Sequence, residues 1–427
     1  MRNITHDHLS HITRLKVHPD WNDETKRIYS EIITKYPHGI FATGIESSDP
    51  WVNEDRRDEL TEGDNFRYRY AKRLRRIRDL GIQWIRFGDG YSKVHIGPGK
   101  FNFELTDKVL QKCHELEINV IADLMHFGLP EWQHQNNPHQ PFFLNPHFPH
   151  YFAEYAEVFA KRYPSIHCYN LINEPYVSAR FSDMLGIWNE AHADDLSFTK
   201  AIVHTAEAMV LAKERIEKVW RDENRSASLY FFQNESFEKA YGTGASLKKA
   251  NEFNQVKKFI ALDLFLGHKD KNVKNFLLEH NISDEKYEWF MNHGNKNNVV
   301  LGIDYYPTCI QTITDSEILY GHDIRTFHLI EVIKEYYQRY KLPLFHMEIN
   351  AINKTAKQIC QKTFNALNLL RVQGYPIIPG MTWYGDDNFC GWDSFLHCTH
   401  INHVGLYNKN IRMPIANFFS KLAKSSY

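Results

Sequence analysis

The sequence predicts one α/β domain, a single (β/α)8 barrel, and three observations carry that expectation. Apolar or alternating runs of strand length recur at 39–46, 82–88, 118–126, 167–173, 228–234, 299–306, 343–349 and 377–383, and eight strands close such a barrel. Segments of helical periodicity lie between them, at 66–80, 106–116, 151–163, 198–221, 325–340 and 355–373. The alternation runs unbroken along all 427 residues, a length that one barrel can reach.

Each run has its own signature. The first, 39–46, leads into Gly44-Ile45-Glu46-Ser47-Ser48-Asp49-Pro50, and the second contains Trp84-Ile85-Arg86-Phe87. The third is apolar from Val120 to Met125 and is followed by His126. The fourth ends in Leu171-Ile172-Asn173-Glu174-Pro175, and the seventh in Leu344-Phe345-His346-Met347-Glu348-Ile349-Asn350. A glutamate at the end of an apolar run is costly to place unless a site uses it, so two of them suggest an acid/base and nucleophile pair of the kind used in sugar chemistry. In a parallel barrel the active site lies where strands end and βα loops begin, which puts Glu174 after strand four and Glu348 after strand seven. Residues 1–36 read as an N-terminal extension of the 1–427 domain. The charged, asparagine-rich stretch 266–298 reads as an insertion between strands five and six, a solvated surface excursion or a partial lid.

Composition narrows the partner. Hydrophobic content of 43% with 24% charge is ordinary for a globular chain with a full core. Lys+Arg of 51 against Asp+Glu of 52 leaves a formal net charge of -1, with no global attraction to nucleic acid or anionic membrane. A small neutral partner is expected. No stretch approaches the roughly 20 apolar residues of a membrane span, and Met1 to Pro19 carries no apolar segment of the signal-peptide type. The six cysteines, Cys113, Cys168, Cys309, Cys360, Cys390 and Cys398, are scattered without a CxxC, which fits reduced thiols in a cytoplasmic protein. The sequon Asn234-Glu235-Ser236 then reads as chance. Several of the 24 histidines cluster, as at His397, His400 and His403, but none has metal-site spacing, and neither metal nor cofactor is expected.

Further motifs carry a resemblance. Arg86-Phe87-Gly88 is similar to an arginine-phenylalanine-serine signature, and His126-Phe127-Gly128-Leu129-Pro130 to histidine-tryptophan-aspartate-leucine-proline. Asp304-Tyr305-Tyr306-Pro307-Thr308 is similar to an asparagine-tyrosine-tyrosine turn, Trp383 to Phe389 to a last barrel strand, and His403-Val404-Gly405-Leu406 to the segment after it. With Asn173-Glu174-Pro175 as the acid/base motif, six segments in this order resemble glycoside hydrolase family 1, the retaining β-glycosidases. The stretch Asn173 to Trp188, with Ala179-Arg180-Phe181-Ser182, resembles a divergent bacterial branch of family-1-like proteins.

Retention requires one protonated carboxyl for the leaving oxygen and a second, ionised carboxyl about 5–5.5 Å away to attack the anomeric carbon. Glu174 and Glu348 are the candidates; the structural alternatives are a helix N-terminal carboxylate and a rim salt bridge. Asn173 would bond the hydroxyl beside the anomeric centre. Arg86 points into the barrel, where an unpaired guanidinium is very costly, and pairing with Glu348 would hold that group ionised, unless another rim carboxylate takes it. Tyr306 shares a face with Asp304 and could reach the nucleophile, with core packing as the ordinary alternative. The resemblance gives His126 a sugar-binding role in place of that of a satisfied core histidine, and it adds Asn388. Trp383 would form a platform under the sugar ring, with Trp392 and Trp51 as weaker candidates.

Departures mark the glycone pocket. The family's sugar-binding glutamine after strand one has no clear counterpart, and Cys390-Gly391-Trp392 stands where glutamate-tryptophan usually grips the far hydroxyls. Asp386 and Asp387 argue against a phosphorylated sugar by repulsion. The expected activity is that of a retaining β-glycosidase on a small glycoside or oligosaccharide. An endo-glycanase of the same clan, a transglycosylase and a non-catalytic sugar- or protein-binding barrel are the alternatives.

Overall fold

Every one of the eight runs forms a strand, and the strands are joined in chain order by parallel pairing. A computed structural model describes residues 20–52, 55–63, 65–136, 139–314, 318–321, 328–389 and 403–425. The barrel strands are β1 (Ile40–Gly44), β2 (Trp84–Phe87), β3 (Asn119–Asp123), β4 (Cys168–Asn170), β5 (Tyr230–Ser236), β6 (Val299–Asp304), β7 (Leu344–Glu348) and β8 (Gly380–Tyr384). The sheet runs β7-β6-β5-β4-β3-β2-β1-β8. A parallel bridge between Leu344 and Ile377 joins β7 to the segment leading into β8, and the Tyr384 N–H donates to Ile349 O at 2.9 Å. The expected barrel closes.

The strands are buried on both faces, as a barrel core packed inside and covered by helices requires. After the successive strands come α1 (Phe66–Asp79), α2 (Glu104–Glu115), α3 (Phe148–Arg162), α4 (Asp195–Asp222), α5 (Ile260–Leu266), α6 (Leu329–Tyr340), α7 (Asn353–Val372) and α8 (Pro414–Ser425). The longest, α4, starts at an Asp194 cap whose carboxylate accepts from Ser197 N at 2.8 Å. Its buried alanines, Ala201, Ala208 and Ala212, let it pack closely along α3. Of the expected helix 325–340, residues up to 327 lie outside the described ones.

Two peripheral regions take definite places. A helix at Asp23–Lys35 lies against the loops that enter the strands: Trp21 Nε1 donates to Gly374 O at 2.9 Å, and Thr25 Oγ1 to Lys341 O at 2.6 Å. It covers the face of the barrel opposite the strand ends. The stretch 266–298 forms two helices, Lys271–Glu279 and Asp284–His293, the second packed on α4 and α5 in the outer layer. Val273, Leu277, Tyr287 and Phe290 are buried there. These apolar positions at helical spacing were hidden by the charge and asparagine around them.

One irregularity bears on the site. Between β6 and β7 the register slips after Ile303, which pairs with His346, so that Asp304 pairs with Glu348. Such a bulge re-aims side chains at a strand end.

Candidate active site

Arg86 is the central cation. It stands on β2 between β1 and β3, buried inside the barrel. Its Nη2 donates to Glu348 Oε1, its Nε lies 3.3 Å from Asp123 Oδ2, and its Nη1 lies 4.0 Å from Asp304 Oδ2. The Tyr384 ring lies 4.7 Å from its Cζ. Burial works against the guanidinium, but the charges of Glu348 and Asp123 outweigh it and hold the proton firmly.

Glu348, at the end of β7, is gripped from both sides. Besides Arg86 it accepts from Tyr306 Oη at 2.7 Å on its other oxygen. One cationic and one neutral donor suit an anion. Burial, followed by the charge of Glu348, pushes the Tyr306 phenol well above its ordinary range, so the group stays a donor.

Glu174 has the opposite surroundings. It follows β4 in a left-handed conformation, φ 40° and ψ 67°, uncommon for a residue with a Cβ. Its backbone N–H points to Asn234 Oδ1 at 3.4 Å, and the next residue opens a short helix, Pro175–Ala179. Burial raises its pKa well above the ordinary carboxylate range, and Asp304, Glu348, Glu235 and Glu238 all push it further in the same direction. The two candidate glutamates are thus close enough to feel each other's charge, yet have opposite neighbours.

A chain of polar side chains joins them. Asn234 Nδ2 donates to Asn173 Oδ1 at 2.6 Å and also to Asp304 Oδ2. The Asn173 amide lies 3.3 Å from His126 Nε2, and His126 Nδ1 lies 2.9 Å from Asp123 Oδ2. Asn170 donates to the other oxygen of Asp123 at 3.0 Å, and Arg86 closes the ring. Burial opposes the imidazolium of His126, but Glu46 and Asp123 outweigh it and raise its pKa. Glu46 Oε1, after β1, lies 3.6 Å from His126 Nε2.

Arg86, His126, Asn173, Glu174, Tyr306 and Glu348 are therefore brought together. Trp383 and Asn388 are engaged elsewhere. Trp383 is fully buried, its Nε1 donating to Val404 O at 2.9 Å, so no face of it is open in this structure. Asn388 accepts from Gly405 N at 2.9 Å and lies 3.0 Å from His403 Nδ1. Trp392 lies outside the described residues, together with Cys390, Gly391, Cys398, His397 and His400. Trp51 is half-buried beside Phe142.

One electrostatic expectation needs correction. Asp386 and Asp387 do not present free charge: Arg73 Nε donates to Asp386 Oδ2 at 2.8 Å and Arg76 Nη2 to Asp387 Oδ2 at 3.0 Å, both arginines coming from α1. Repulsion of a phosphate by these aspartates is removed. Among the described residues no group of three or more His, Cys, Asp or Glu is placed to hold a metal ion. The sequence alone assigns no site role to Asp123, Asn170, Asn234, Asp304 or Glu46. Their common signal is a polar residue inside or at the end of a barrel strand, readable for Asn234 in Phe231-Phe232-Gln233-Asn234.

Comparison with known proteins bears on the family and the fold. A 124-residue segment is 32% identical to the bifunctional β-D-glucosidase/β-D-fucosidase of Bifidobacterium breve, covering 28% of this chain and 27% of that protein. A 259-residue segment is 24% identical to a 6-phospho-β-galactosidase of Staphylococcus epidermidis, covering 57% and 53%. The chain thus spans about half or less of these curated relatives. In three dimensions it matches the β-glucosidase of Thermotoga maritima in complex with glucoimidazole, with a TM-score of 0.74 at 14% identity over 91% of this chain and 98% of the other. The family model for glycosyl hydrolase family 1 matches residues 52–343, more than half of the sequence, and the chain belongs to that family.

Proposed function

We propose that this protein is a retaining β-glycosidase in which Glu348 is the nucleophile and Glu174 the acid/base. The observation that carries the reading is the contrast between the two carboxyls: Glu348 is met by Arg86 and Tyr306, whereas Glu174 is buried among acidic neighbours that favour its proton. In the first step Glu174 protonates the leaving oxygen while Glu348 attacks the anomeric carbon. In the second, Glu174 takes a proton from water, and that water releases the sugar from Glu348. Charge moves from Glu348 to Glu174 during the first step, and Arg86 and Tyr306 remain to orient the ester oxygens. Asn173, held by Asn234 and close to His126, is placed for the adjacent hydroxyl.

The substrate is a small β-linked glycoside or short oligosaccharide, taken up without metal or cofactor. With Asp386 and Asp387 paired to arginines, their charge no longer argues against a 6-phosphorylated glycone. No described helix is long and apolar enough to cross a membrane. Cys113, Cys168, Cys309 and Cys360 are buried and free, which supports a cytoplasmic setting for one barrel domain.

The test is intact-mass spectrometry after incubation with activated 2-fluoro-β-glycosides of glucose, galactose, fucose and 6-phosphogalactose, for the wild type and Glu348→Gln. One sugar added to the wild type and none to the variant is the expected result, and the glycone that reacts is the accepted one. Wild-type protein, folded by circular dichroism yet unlabelled by every probe, would overturn the reading.

A further inference from the structure

The strand beside Glu174 and the turn that follows it carry two carboxyls, and they are used differently. Glu238 is compensated: Arg180 Nη1 lies 3.3 Å from its Oε2, Gln311 donates to the same oxygen, and Ser236 Oγ donates to Oε1 at 3.1 Å. Glu235, at the end of β5, is completely buried, and backbone N–H groups point at both of its oxygens. Tyr176 N donates to Oε2 at 3.0 Å and Ser236 N to Oε1 at 2.9 Å. One carboxyl thus ties the turn after β4 to the end of β5.

That turn is the one that carries Glu174. Its φ of 40° is strained for a residue with a side chain, and such a conformation persists only where the surroundings over-determine it. The preceding residue of β5, Asn234, receives the Glu174 N–H at 3.4 Å. From the other side Ser178 Oγ lies 3.2 Å from both Asn173 O and Glu174 O. Two adjacent β5 side chains therefore hold the backbone on both sides of Pro175, a residue that has no N–H of its own to contribute.

We infer that Glu235 is a positioning residue for the acid/base: its carboxyl clamps the Tyr176 N–H to β5 and so fixes the direction in which Glu174 presents its proton. The inference rests on the assignment of Glu174 as the acid. Replacing Glu235 by glutamine leaves one acceptor where two N–H groups converge and turns an NH2 toward one of them, so the clamp opens. The Arg86–Glu348–Tyr306 side of the site is untouched. The step that needs an acid should therefore suffer more than the step that does not.

The experiment compares kcat/KM on a phenyl β-glycoside, whose leaving group needs protonation, and on a 2,4-dinitrophenyl β-glycoside, whose leaving group does not. For Glu235→Gln the loss on the phenyl substrate should exceed the loss on the dinitrophenyl substrate by about tenfold or more, a fraction of a full general-acid contribution. Glu235→Asp, which keeps a carboxyl but reaches one N–H, should show a smaller split. If Glu235→Gln does not fold, the Asp variant alone carries the test. Equal losses on the two substrates would overturn the inference. Glu174→Gln is measured alongside: absence of a split there would instead remove the assignment of Glu174, so the two failures are told apart. Labelling of each variant by the fluorosugar at Glu348 verifies that the nucleophile side is intact.

Discussion

Two sides of one pocket differ in what stands behind each carboxyl. Behind Glu348 the barrel supplies a buried guanidinium and a phenol; around Glu174 it supplies Asp304, Glu235 and Glu238. The difference comes from position in the fold. Glu348 looks across the barrel mouth to β2, where Arg86 rises from the interior, while Glu174 sits on a strained turn between acidic strand ends. The same kind of side chain is thus given two opposite sets of neighbours, one of donors and one of acids.

The contrast is broken most severely at its anionic end. Under the proposed assignment Glu348→Gln removes the nucleophile and should lower kcat on a dinitrophenyl glycoside by at least about 10^4-fold, a loss typical of deleting the reacting group. Retention of activity within a hundredth of the wild type, a rise in barrier of less than about 3 kcal/mol, would place the nucleophile elsewhere. Next comes Arg86→Lys. A lysine cannot serve Glu348, Asp123 and Asp304 from one planar fork, and the carboxylates it fails to reach stay buried without their cation. Denaturant titration should show a stability loss of about 3 kcal/mol, with fluorosugar labelling slowed in the same variant. An unchanged midpoint would mean that Arg86 is dispensable to the ring.

A smaller effect sharpens the same side. Tyr306→Phe removes one hydrogen bond to a charged acceptor, worth about 1.5–3 kcal/mol. If that bond is lost chiefly from the transition state, kcat falls by about tenfold to hundredfold. A change of less than about twofold would show that Tyr306 packs and does not act, the alternative that strand alternation leaves open.

The sequence makes this contrast half visible. Arg86, Glu174 and Glu348 stand out because a charge inside or at the end of an apolar run is too costly to be incidental, and Tyr306 follows from its place two residues after Asp304. The strands were readable for the same reason, since both of their faces are buried. What lay beyond reading was pairing between distant segments. Asp386 meets Arg73 across 313 residues of chain, because β8 lies beside β1 and brings the segment after β8 against α1; no local spacing encodes that. Trp383 donates its indole N–H to Val404 O, beyond the end of β8, for a similar reason. Asn234 and Glu235 fell within a tripeptide that resembles a glycosylation site, and only their burial in β5 shows that their side chains are turned to internal use.

The smallest expected effect tests the other side of the pocket, through stability and its dependence on pH. Unfolded, Glu174 titrates near the ordinary value of 4.5; folded, its pKa is raised, by burial first and by Asp304 next. Between those two values the folded state keeps a proton that the unfolded state releases, so the favourable contribution of the neutral carboxyl is present in full below 4.5 and is lost as pH rises through the folded pKa. Glu174→Gln removes this titration while keeping the shape. Its melting temperature should match the wild type in acid and exceed it increasingly toward pH 8, by an amount equivalent to about 0.5–2 kcal/mol, the usual gain from relieving a functional site. Glu348→Gln should behave in the opposite way at neutral pH, because it strips Arg86 of an anionic partner. Thermal scans of both variants across that pH range compare the two environments directly. Curves that shift in the same direction would mean that the two carboxyls are not held in opposite states, and the division of labour between them would fall with that result.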